Sequence, residues 1–140
     1  MKKVFLGGTC NESSWRDDLI SMLCIDYFNP VVKDWNYESQ EIEIKERSIC
    51  DFCLYVITSL MMGTYSIAEV IDDSNKRPDK TIFCFLTEDR SSDGSAVEFS
   101  AAQLKSLENV GKMVRRNGGI WLGDLYEVSK YLNFTGLNNE

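Results

Sequence analysis

Short apolar runs alternate with amphipathic or polar stretches from one end of the chain to the other. Lys3 to Leu6 predicts a strand, and Gly7-Gly8-Thr9-Cys10-Asn11 the loop that follows it. Ser13 and Ser14 suit a helix N-cap, after which Trp15, Leu19, Ile20, Met22 and Leu23 recur at helical spacing. Ile25 to Phe28 predicts a short second strand. Asn29-Pro30 ends it, Val31 to Asn36 reads as a loop, and a polar helix is expected from about Glu38 to Ile49. Phe52 to Ile57 is unbroken apolar sequence, the pattern of a central parallel strand covered on both faces. A loop over Ser59 to Tyr65, containing Gly63, leads to a helix from Ser66 to about Asn75, and Thr81 to Leu86 predicts a second buried strand. Polar, glycine-containing Thr87 to Ser95 reads as a mobile surface loop. A long helix is then expected from about Val97 to Arg116, stopped by Gly118-Gly119, with a last strand at Ile120 to Leu122 and a last helix from Leu125 to Leu132.

Strands and helices alternating in this way predict one α/β domain over residues 1–140, a three-layer sandwich around a five-stranded parallel sheet of order 2-1-3-4-5. In that order the sheet changes its direction of growth between strands one and three, so a ligand crevice is expected at their carboxyl ends. Two segments meet there: Gly7 to Asn11, and Ser59 to Glu69.

Composition narrows the chemistry. A chain of 140 residues is long enough for one core, since a domain of this size buries roughly 68% of its unfolded surface. Its formal charge of −7 opposes the phosphate contacts that drive binding to polymeric nucleic acid or an anionic membrane, so neither is an expected partner. No apolar run approaches the ~18 residues of a membrane span, and the first run meets Gly7-Gly8 before a signal-peptide core can develop; a cytoplasmic location is expected. The five cysteines are odd in number and several lie in apolar runs, as suits a reducing compartment. Cys50-Asp51-Phe52-Cys53 has the C-x-x-C spacing but leads into a strand, unlike a thioredoxin-type pair, and reads as packing. The absence of histidine removes Ser-His-Asp triads, Cys-His pairs and His-containing zinc sites together. Neither a dinucleotide fingerprint nor a P-loop is present, and no cofactor or metal is expected.

The candidate residues cluster at the expected crevice. Gly7-Gly8-Thr9 permits close backbone approach to a ligand, although a tight turn would use the same residues. Arg16, early in the first helix, is a candidate for a phosphate or carboxylate. Glu69 falls in the first turn of the helix after the third strand, where the helix dipole would favour its ionised form and a nucleophilic role. Ser66-Ile67-Ala68-Glu69 is equally a capping box, in which Glu69 would only bond back to the Ser66 backbone. Asp51, at the mouth of the third strand, is a further candidate, although a strand-edge charge would look the same. The Tyr65 phenol can donate to a carboxylate or stack on a base, whereas Tyr55 reads as core. Asn29, Asp34 and Trp35 are candidates for the opposite wall, with the indole suited to a nucleobase.

Lys3-Val4-Phe5-Leu6-Gly7-Gly8-Thr9, then Tyr27 to Val32 with Asp34-Trp35, then Cys50-Asp51-Phe52, then Gly63-Thr64-Tyr65-Ser66-Ile67-Ala68-Glu69, together resemble the nucleoside 2-deoxyribosyltransferase-like family over roughly the first 86 residues. The resemblance implies a flavodoxin-like fold and exchange of the base on a 2′-deoxyribonucleoside, or hydrolysis of the N-glycosidic bond in relatives that act on nucleotides. It implies Glu69 as the nucleophile at C1′, Asp51 as a contact to sugar or base or as a proton donor, and Gly7, Gly8 and Thr9 as the sugar pocket. It also implies a homo-oligomer, because the family often completes its pocket from a neighbouring subunit, for which Asn133, Asn138 and Asn139 are available. The chain departs from the pattern at Phe5, where transferases of the family commonly have a tyrosine that Tyr65 would have to replace. It departs again at Gly63 and Thr64, where they carry an acidic residue. Alternatives on the same fold are a non-catalytic nucleotide-binding module and a hydrolase of another ribosyl compound such as NAD.

Overall fold

The structure is a computed structural model that describes residues 1–10 and 12–138, so Asn11 and Asn139 lie outside the described residues. The amino-terminal run forms β1 (Lys3–Gly8), followed by α1 (Trp15–Ile20), β2 (Asp26–Phe28), α2 (Tyr37–Ile49) and β3 (Phe52–Ile57). The chain continues through α3 (Tyr65–Lys76), β4 (Thr81–Phe85), a hairpin of β5 (Glu88–Arg90) and β6 (Ala96–Glu98), α4 (Ala101–Arg116), β7 (Ile120–Leu122) and α5 (Leu125–Asn138). Five strands pair in parallel in the order β2-β1-β3-β4-β7, which is the expected order with β7 as the fifth sheet strand, and the fold is flavodoxin-like.

Period-two alternation along the buried strands builds two cores, one on each face of the sheet. Val4, Leu6, Phe52, Leu54, Val56, Ile82 and Cys84 point toward α1 and α5, where Trp15, Leu19, Val128 and Leu132 meet them. Phe5, Cys53, Tyr55, Ile57 and Phe83 point to the other face, against Val70 of α3 and Leu107 and Val114 of α4. Every residue of β3 is buried, as expected of the central strand. Helix α2 differs from the rest: it buries only Arg47 and leaves Ile42, Ile44 and Ile49 exposed. None of the helices among the described residues is long and apolar enough to cross a membrane.

The structure corrects the expectation of a mobile loop after β4. Residues 88–90 and 96–98 pair as an antiparallel hairpin, with Glu88 opposite Glu98 and Arg90 opposite Ala96. Two side chains fasten it to the carboxyl edge of the sheet: Ser13 Oγ donates to Asp89 Oδ2 at 2.6 Å, and Ser59 Oγ to the Val97 carbonyl at 2.5 Å. The hairpin also shortens the following helix, which starts at Ala101 and not near Val97. Ser100 caps it in a reciprocal pair, accepting from the Gln103 amide while the Gln103 side chain accepts from its own. Helix α5 runs beyond Leu132 to Asn138, and on it the Asn133 side chain accepts from the Cys24 amide at 2.7 Å and donates to the Met22 carbonyl at 2.9 Å.

Candidate functional site

A cavity of about 350 Å³ opens where the chain leaves β1 and β3, at the point where the sheet reverses its direction of growth. Its floor is the glycine turn. A Cβ on Gly7 would lie 2.6 Å from the Tyr55 ring, and one on Gly8 only 2.0 Å from the Val56 carbonyl oxygen. Gly8 also has a φ of +121°, a region L side chains rarely adopt, so the turn needs both glycines for reasons of space and the second for conformation as well. Thr9 locks the turn onto β3: its amide donates to the Val56 carbonyl and its Oγ1 accepts from the Thr58 amide, both at 2.9 Å.

Arg16 lines the same cavity but is a clamp on this turn. Its Nε donates to the Leu6 carbonyl at 3.0 Å, Nη1 to Thr9 at 2.6 Å and Nη2 to Gly8 at 3.3 Å, while the guanidinium stacks on Trp15. The guanidinium nitrogens therefore all serve backbone carbonyls, and burial pulls the Arg16 pKa down to about 10. The Trp15 indole adds a bond to the Thr9 carbonyl at 2.7 Å.

Glu69 stands at the wall, 6% exposed. Helix α3 begins at Tyr65 with Thr64 as N-cap, which puts Ser66 inside the helix and Glu69 in its second turn. Thr64 makes no side-chain cap bond, and the Ser66–Glu69 capping box is not the arrangement found. Glu69 turns instead toward α2, where Arg47 Nη1 lies 3.5 Å from its Oε2 and the charge of Glu43 acts on it. The expected dipole effect on its charge is also overturned, since that effect fades within the first turn. Burial first, and the Glu43 charge second, push the Glu69 carboxyl up to about 8 against the opposing pull of Arg47. The Glu69 carboxyl therefore retains its proton at neutral pH.

Behind Glu69 the charges form a closed group. Arg47 Nη2 donates to Asp73 Oδ1 at 2.9 Å and to Asp72 Oδ2 at 3.0 Å, and Arg77 Nη1 donates to Asp73 Oδ1 at 2.7 Å. The Tyr55 hydroxyl donates to Asp73, and burial followed by the Asp73 charge raises its pKa. Burial works against the Arg47 charge, but its hydrogen bond to Asp73 and the surrounding charges outweigh that, and its pKa is raised. Tyr55 is core, as expected.

The outer wall comes from the loop after β2. Pro30, Val31, Val32 and Trp35 face the cavity, and the Trp35 indole donates to Glu43 Oε2 at 3.2 Å. Gly63 and Tyr65 form part of the mouth, with Tyr65 57% exposed. Asn29 and Asp34 lie outside this wall: both are exposed, and the Asn29 side chain accepts from the Val31 amide to form the turn ahead of the wall residues.

Asp51 is a correction. It precedes the first residue of β3 and so lies at the amino end of the sheet, roughly 20 Å of strand away from the cavity. There it accepts from the Lys3 amide at 2.9 Å and borders a separate hollow with Lys2 and Lys80. A parallel sheet gathers its ligand loops at carboxyl ends, so a residue that opens a strand is carried to the opposite side. Glu43, which lines the cavity, and Arg47, which stands behind Glu69, are not singled out by sequence reasoning. Their i, i+4 spacing on α2 was the available signal, but it is also the spacing of a solvated surface pair.

The family model described as nucleoside 2-deoxyribosyltransferase like matches residues 1–88. No curated protein and no solved structure matches the chain. The matched span contains the glycine turn, the Trp35 wall, α2 and Glu69, and with them the residues that line the cavity. On this match, the chain belongs to the nucleoside 2-deoxyribosyltransferase-like family.

Proposed function

We propose that this protein cleaves the N-glycosidic bond of a 2′-deoxynucleoside or its nucleotide and passes the deoxyribosyl group to a second base or to water. Family membership supports glycosyl-transfer or N-glycosidase chemistry. The observation that carries the finer reading is the position of Glu69, buried at the wall of an open cavity with a cation 3.5 Å behind it. In this reading Glu69, as a carboxylate, attacks C1′ from the face opposite the base. The C1′–O bond forms as the C1′–N bond breaks, and the electron pair leaves with the base through an oxocarbenium-like transition state. Water or a second base then attacks C1′ and releases Glu69, so the configuration is retained. Gly7, Gly8 and Thr9 let the sugar approach the backbone closely, and Trp35 offers the base a flat apolar surface. Tyr65 and Gly63 shape the entrance.

Incubation with 2′-deoxynucleosides plus free adenine or cytosine, followed by chromatography, tests the proposal. Base exchange or hydrolysis is expected, and Glu69→Gln should lower it by about 10³-fold or more. Equal behaviour of the two proteins on nucleosides and nucleotides alike would remove the enzymatic reading. A second reading, binding without turnover, is favoured by the proton that Glu69 retains. Its signature is thermal stabilisation by nucleoside, about 2.7 kcal/mol at 100 times the dissociation constant, with no product formed.

A further inference from the structure

Departure of a nucleobase needs a proton as well as a nucleophile, and Gly63 and Thr64 supply no acid beside Glu69. We propose that Glu43 is the acid of this site, giving a proton to the departing base and recovering one from the attacking base or water. The proposal rests on the glycosyl-transfer reading of Glu69.

Three observations carry it. Glu43 lines the cavity together with Glu69, and its charge acts on the Glu69 carboxyl. Its Oε2 is held at 3.2 Å by the indole of Trp35, the surface on which the base would rest. Glu43 and Arg47 lie four residues apart on α2, one turn of the same helix face, so one element presents an acid and a cation to Glu69 together. The proton passes from Glu69 to Glu43, and Arg47 stabilises the carboxylate left on Glu69. That carboxylate forms the bond to C1′, the base leaves with the electron pair of the C1′–N bond, and the Glu43 proton moves to the base nitrogen. In the second half the acceptor gives its proton to Glu43 as it bonds C1′ and frees Glu69. The groups facing this pair are Arg47 of α2, Tyr55 of β3, Asp73 of α3 and Arg16 of α1. Raising the pH through about 8 removes the Glu69 proton that supplies Glu43, and turnover falls there.

The test compares 2′-deoxyguanosine, whose base must be protonated to leave, with 7-methyl-2′-deoxyguanosine, whose base already carries positive charge and leaves neutral. Glu43→Gln still accepts from Trp35. It should lose about 10²- to 10⁴-fold on deoxyguanosine and less than about tenfold on the methylated substrate, and it should lose the fall in rate near pH 8. Glu43→Asp should recover part of the loss. Equal losses on both substrates, or none, overturn the role of Glu43 while leaving Glu69 as nucleophile. If the wild type turns over neither substrate, the glycosyl-transfer reading fails and takes this role with it. Thermal melts of both variants report their folding.

Discussion

Gly8 and Gly63 border one cavity and look interchangeable in sequence, yet a Cβ at Gly8 would overlap the Val56 backbone, whereas one at Gly63 meets nothing within 4 Å. Gly8→Ala is expected to cost about 3 kcal/mol or more, because both a close backbone contact and a left-handed φ are violated. Gly63→Ala is expected to stay within ~0.5 kcal/mol of wild type, and urea denaturation of the two variants measures the difference. The glycine pair was legible as a turn, but which member is indispensable depends on Val56, far away along the chain in a neighbouring strand. Glu69 was likewise legible as a candidate, while its environment was not: a local capping signature competes with contacts from α2 that only the fold creates.

At the scale of elements, the strands were legible because buried parallel strands are written as continuous apolar runs, and β3 and β7 were read with the observed ends. The β5–β6 hairpin was not legible, since three-residue strands rich in charge carry no apolar alternation. Helix α2 was legible as a polar helix, but not as a wall of the site. Its attachment rests on Arg47, the one residue it buries. Arg47→Met is expected to cost roughly 3 kcal/mol, because it leaves part of the buried Asp73 charge without a counter-ion. Denaturant midpoints give that cost. The same variant should hold the Glu69 proton to higher pH, since the cation that opposes it is gone, and the pH dependence of turnover reads that shift.

For the whole molecule, the sheet order and the crevice position followed from alternation and chain direction alone. Asp51 shows where sequence order misleads, because a residue next to a strand in the chain belongs to one end of the sheet only. The cavity mouth is ringed by exposed Val31, Val32, Trp35, Met62 and Tyr65, an apolar rim. If a second copy of the chain covers this rim, light scattering gives a multiple of the 16.0 kDa chain mass, and Met62→Glu shifts it toward a single chain. The β5–β6 hairpin grips Ser13 ahead of α1 through Asp89, and Ser59 behind β3 through Val97. Those two serines belong to the loops that leave β1 and β3, so a segment bordering no part of the cavity works as a buckle across its edge. Changes within residues 88–98 would then retune how wide the entrance gapes without touching a single group at the reacting centre.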